Sequence, residues 1–86
     1  MKRIVTFDAP EAGAYDVVEA LYPIRSLTGV RSVEVLAATE GSPKYCVIID
    51  VEDAQDAAAS ARMEALGGQY TGYHVGLTSR VFRKIG

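Results

Sequence analysis

The stretch Tyr45-Cys46-Val47-Ile48-Ile49-Asp50-Val51 is apolar on both of its alternating faces until Asp50 interrupts one of them. Neighbouring residues of a strand point to opposite sides of a sheet, so a strand of this composition needs cover on both faces. A chain of 86 residues has room for about two helices beside a small sheet, enough to shield one face. The cover missing from the other face is most simply a second copy of the chain.

Composition is consistent with one domain spanning residues 1–86. The chain is 49% hydrophobic and 23% charged with a net charge of -2, which places it among ordinary globular domains and away from disordered segments. The acidic balance disfavours nucleic acid. Basic residues gather only at Lys2-Arg3 and at Arg80, Arg83 and Lys84, too few for a phosphate track. Cys46 is the single cysteine, which excludes an intramolecular disulfide and a thiolate metal cluster within the chain and suits a reducing compartment. Its apolar surroundings predict an inert, buried thiol. Met1-Lys2-Arg3 leads into only a short strand-like pattern before Asp8, so no secretory leader is expected. No window reaches the roughly 18 to 20 apolar residues of a membrane span. A cytoplasmic protein with no membrane association, no metal and no cofactor is the expectation.

Along the chain, Arg3 to Phe7 is β-branched and aromatic and predicts a first strand, ended by Asp8-Ala9-Pro10-Glu11. That break also has helix-start chemistry: Asp8 as cap, Glu11 at capping-box spacing and Pro10 in the first turn. A helix is expected from about Pro10 to Tyr22 with Ala14, Val17, Val18 and Leu21 as its buried stripe, ended by Pro23. Ile24 to Leu27 predict an extra turn. After Thr28-Gly29, Val30 to Ala38 alternates, with Val33, Val35 and Ala37 on one side and Ser32, Glu34 and Leu36 on the other. Glu40-Gly41-Ser42-Pro43 supplies hairpin chemistry before the apolar third strand. Asp53 is expected to cap a second, alanine-rich helix, with Asp56 near its start, Met63 and Leu66 as anchors and Gly67 as its stop. Tyr70 to Ile85 predicts a last strand, bent or bulged at Gly72 and Gly76.

The order βαββαβ is the ferredoxin-like arrangement, an α+β fold with a four-stranded antiparallel sheet and two helices on one face. Among proteins of that topology, metal-transfer domains need a C-x-x-C where this chain has Asp8-Ala9-Pro10-Glu11. RNA-recognition modules need aromatic platforms with basic charge around them. Phe7 and Tyr45 could serve as platforms, but the charge opposes it. Acylphosphatase-like enzymes need an anion cradle after the first strand, which this chain lacks.

The segment Leu27-Thr28-Gly29-Val30-Arg31-Ser32-Val33-Glu34-Val35, followed after the hairpin by Pro43-Lys44-Tyr45-Cys46-Val47-Ile48-Ile49-Asp50-Val51-Glu52, resembles the dimeric α+β barrel superfamily, particularly its stress-responsive and EthD-like branches. The resemblance covers about a third of the chain, and its motifs are generic. It implies two sheets facing each other across a two-fold axis with helices outside, which supplies the missing cover. It also implies a homodimer, able to assemble further, that acts on or senses a small hydrophobic or aromatic molecule. Members of that superfamily include cofactor-free cyclases and oxygenases of aromatic polyketides, haem-dependent relatives and effector-binding domains of leucine-responsive regulators. The first helix here carries no histidine, which removes an obvious haem ligand.

Candidate site residues follow from residue chemistry. His74 is the only histidine and the natural acid or base near neutrality, with the Tyr73 hydroxyl beside it to orient a substrate. Tyr45, Tyr73 and Tyr15 are candidate ligand contacts, because a tyrosine offers a flat apolar body and a polar tip. Asp50 is expected to pair with Arg31 or Arg80 across the sheet. If the protein is an enzyme, the expected chemistry is cofactor-independent proton transfer, cyclisation or oxygenation. The competing class is a non-catalytic effector-sensing or assembly module.

Overall fold

The computed structural model describes residues 1–9, 13–69 and 75–86, with side chains outside 63–69 and 75–76. These residues form four strands, β1 (Lys2–Asp8), β2 (Val30–Ala37), β3 (Tyr45–Val51) and β4 (Val75–Phe82), and two helices, α1 (Ala14–Leu21) and α2 (Asp56–Gln69). Short 3-10 turns at Tyr22–Ser26 and Asp53–Gln55 adjoin the helices. The strands form one antiparallel sheet in the order β2-β3-β1-β4, the ferredoxin-like topology expected from the element order.

Strand alternation sets the two faces of this sheet. On β3, Tyr45, Val47, Ile49 and Val51 are buried while Cys46, Ile48 and Asp50 between them are half-buried. The buried set joins Val5 and Phe7 of β1 and Val17, Ala20, Leu21, Ile24 and Ala59 of the helical segments in one core. Val33 and Val35 of β2 pack against its margin. Both helices therefore cover the same face. Full burial of side chains such as Val47 and Ile49 is worth about 1.5–3 kcal/mol each, so this layer carries most of the stability.

Pro23 ends α1 as expected, inside the 3-10 turn that follows it. The buried stripe runs Val17, Ala20, Leu21, Ile24, and Ala14 is exposed, so the helix is rotated relative to the stripe read from its apolar residues. Gly13 is the N-cap, and its backbone N–H donates to Asp16 Oδ2 at 3.3 Å. Asp8 is not the cap. It ends β1, and its carboxylate accepts the Lys44 backbone N–H at 2.7 Å and the Ser42 hydroxyl at 2.5 Å, fastening the β2–β3 connection. The proposed Pro10 and Glu11 roles lie outside the described residues.

Asp53 likewise is not the N-cap but the first residue of the 3-10 turn. It accepts from Arg83 Nη1 at 2.7 Å, and the turn is capped at Glu52 without a side-chain bond. Helix α2 continues through Gly67 to Gln69. The anchoring proposed for Met63 and Leu66, and the contributions of Tyr70 and Gly72, lie outside what is described. Gly29, at φ 84°, turns the chain into β2 in a conformation that favours glycine, and a Cβ there would meet Gln55 Cβ at 2.8 Å. Its carbonyl accepts the Glu52 N–H at 2.9 Å, tying the start of β2 to the end of β3.

Candidate functional site

The face turned away from the helices is built from register. Residues directly opposite in an antiparallel ladder share a face, and the ladders align three rows across all four strands. In the order β2, β3, β1, β4 these are Leu36-Cys46-Thr6-Thr78, Glu34-Ile48-Ile4-Arg80 and Ser32-Asp50-Lys2-Phe82. Ile4, Ile48, Cys46 and Thr6 at the centre are half-buried, whereas Leu36 and Phe82 at the edges are 46% and 41% exposed. The centre is thus mainly apolar and charge stands at the margins, with acid on β2 and base on β4 in the middle row. Thr6 and Thr78 share a hydroxyl hydrogen bond at 2.5 Å, and the Arg80 guanidinium lies 5.1 Å from the Phe82 ring centroid.

At the end of this face the register slips by one residue. Val30 pairs with Val51 and Ser32 with Asp50, so Arg31 is the extra residue of a β-bulge. The bulge frees Arg31 from the alternation and lets its Nε reach Asp50 Oδ1 at 3.3 Å and its Nη1 approach Glu52 at 4.0 Å. Of the two arginines expected to pair with Asp50, Arg31 does so. Both contacts are long and the Arg31 side chain is 54% exposed, so the pair orients the guanidinium more than it stabilises the fold.

Arg31 forms the rim of an open cleft of about 600 Å³ lined by Met1, Lys2, Arg31, Asp50, Phe82, Arg83 and Lys84. Four of these side chains are cationic and one is a carboxylate, in a chain whose net charge is -2. Arg83 is engaged by Asp53, and that hydrogen bond holds the Asp53 carboxyl below its ordinary value. Lys2 and Lys84 have no carboxylate partner among the described residues. The alternation of β1 and β4 could have placed Lys2 and Phe82 here. The bulge that delivers Arg31 left no mark in residue order.

Of the tyrosines proposed as ligand contacts, Tyr45 and Tyr15 stand in different surroundings. Tyr45 lies on the helix side of the sheet, 2% exposed, its ring 5.7 Å from that of Phe7 and its hydroxyl buried without a hydrogen-bond partner among the described residues. Tyr15 stands on the outer surface of α1, 72% exposed, donating to Glu19 at 2.6 Å. That acceptor raises the Tyr15 phenol pKa. Tyr73 and His74 lie outside the described residues. Cys46 is half-buried at the centre of the open face.

Among the described residues, no group of three or more His, Cys, Asp or Glu side chains could hold a metal ion, and no helix is long and apolar enough to cross a membrane. No protein-family model matches the sequence, and a search of curated proteins finds no match either.

Proposed function

We propose that the chain works as a homodimer joined through the open face of its sheet and binds a small hydrophobic or aromatic molecule. The observation that carries this reading is the self-complementarity of the three rows. A two-fold axis parallel to the strands would set β2 of one copy over β4 of its partner and leave each row at its own level. Glu34 would then face the partner's Arg80, Ile48 the partner's Ile4, and Asp50 the partner's Lys2. A two-fold perpendicular to the strands would set Glu34 on Glu34 and Arg80 on Arg80, which like-charge repulsion disfavours. Such a dimer removes the half-buried Ile4, Ile48 and Cys46 from water and shields an apolar centre that the helices do not reach.

The resemblance of residues 27–35 and 43–52 to dimeric α+β barrels supports the same arrangement. In its catalytic form the activity would be cofactor-independent, with His74 as acid or base and Tyr73 orienting the substrate. Native mass spectrometry of the protein as purified tests the reading. A dimer carrying extra mass that leaves on denaturation is the expected result. A monomer at micromolar concentration would overturn the pairing, and a dimer that stays empty against a panel of aromatic metabolites would overturn the ligand. If turnover is found, His74→Ala with Tyr73→Phe should abolish it.

A further inference from the structure

We infer that the cleft at the end of the open face is an anion site that takes a small aromatic carboxylate. This rests on the small-molecule reading above and names its ligand class, but it does not require the dimer. Four cations converge there from separate parts of the chain: Lys2 from β1, Arg31 from the bulge in β2, and Arg83 and Lys84 from beyond β4. A carboxylate entering the cleft meets the Lys84 and Lys2 ammonium groups, neither of which is paired with a carboxylate among the described residues of the chain. It also meets the exposed Arg31 guanidinium, whose own contacts at 3.3 and 4.0 Å are long.

Size and lining argue for an organic anion. A cleft of about 600 Å³ lies within the range of small-molecule sites and exceeds what a bare inorganic ion fills. Phe82 supplies an aromatic surface, 41% exposed, beside the cations. An aromatic ring can stack there while its carboxylate reaches the lysines. In the proposed dimer Lys2 would share the partner's Asp50, whereas Lys84 lies beyond the end of β4 and off the paired rows. The Lys84 ammonium is therefore the donor on which the test turns.

The test is a titration of 15N-labelled protein with sodium benzoate and, separately, with benzamide, a neutral isostere, at matched ionic strength. Benzoate should give saturable amide shifts at Lys2, Arg31, Phe82, Arg83 and Lys84, with benzamide at least tenfold weaker. Lys84→Gln should weaken benzoate about tenfold, Lys2→Gln should weaken it by less in the dimer, and the spectra should show both variants folded. Equal binding of benzoate and benzamide, shifts confined to other residues, or an unchanged affinity in both lysine variants would overturn the inference. Sedimentation of the same samples separates the two proposals. A monomer that binds benzoate keeps the anion site and refutes the dimer, and a dimer indifferent to benzoate does the reverse.

Discussion

Arg3 clasps Asp56 in a bidentate ion pair, Nε to Oδ1 at 2.7 Å and Nη2 to Oδ2 at 2.5 Å, joining the first strand to the first turn of α2. Both side chains are largely buried, 17% and 15% exposed, and Arg3 Nη1 also donates to Ser79 of β4 at 2.8 Å. The pair thus links a central strand, an edge strand and a helix. Burial makes it costly to break one-sidedly, because the survivor stays desolvated.

Asp56→Asn should therefore destabilise the protein by about 2 kcal/mol, read from urea unfolding at neutral pH. The hydrogen bond from Arg3 holds the Asp56 carboxyl below its ordinary 3.8, against the opposing effect of burial. A carboxyl depressed in the folded state contributes stability that is complete above its unfolded value and is lost as pH falls through the folded one. The cost of Asp56→Asn should accordingly shrink as pH falls below 3.8. A cost independent of pH down to 2 would show that the charge is not what matters.

Charge exchange across the proposed interface makes a second prediction. Glu34→Arg and Arg80→Glu should each weaken the dimer at least tenfold, because each substitution sets like charges opposite one another at two symmetry-related places. The double exchange should restore association. Analytical ultracentrifugation reads this directly, and a double variant no better than the singles would exclude the strand-parallel two-fold.

Asp8 is predicted to act as a latch on the β2–β3 connection. The Ser42 hydroxyl and the Lys44 N–H hold its carboxyl below the ordinary 3.8, so the latch is complete above that value and released as pH falls through the depressed one. Asp8→Ala should accelerate amide exchange at Lys44 without slowing or hastening that of Ile49. Unchanged protection at Lys44 would mean that the ladder alone holds the loop.

Tyr45→Phe removes a hydroxyl that is buried and has no hydrogen-bond partner among the described residues. The protein should gain up to about 1 kcal/mol, since an unsatisfied buried donor costs free energy that its removal recovers. A loss of stability in calorimetry would reveal a partner for the hydroxyl. Tyr45→Phe should leave benzoate affinity unchanged, because Tyr45 and the cleft lie on opposite faces of the sheet.

The outcome at individual residues follows the range of the forces involved. The faces of β2 and β3 were legible because alternation is set by the backbone pleat: Val33 and Val35 turn toward the core, and Glu34 and Leu36 away from it. Asp8 and Asp53 were misread as caps because a short acidic side chain accepts whichever donor is brought to it. Tertiary structure brought Lys44 and Ser42 to one and Arg83 to the other. Gly67 was misread as a stop, since a helix interior tolerates glycine at a modest cost that local sequence does not distinguish from an end.

Residue order alone determined the element sequence, the ferredoxin-like topology and the doubly apolar third strand whose second face the helices leave open, because periodicity and turn chemistry act over a few residues. Only the tertiary structure decided which side chains share a row across four strands, that Asp50 takes Arg31, and that Lys2, Arg31, Phe82, Arg83 and Lys84 meet in one cleft. Those neighbours are far apart in the chain. Their meeting depends on strand register and on one bulge, which hydrogen bonding between whole strands selects and no local pattern encodes.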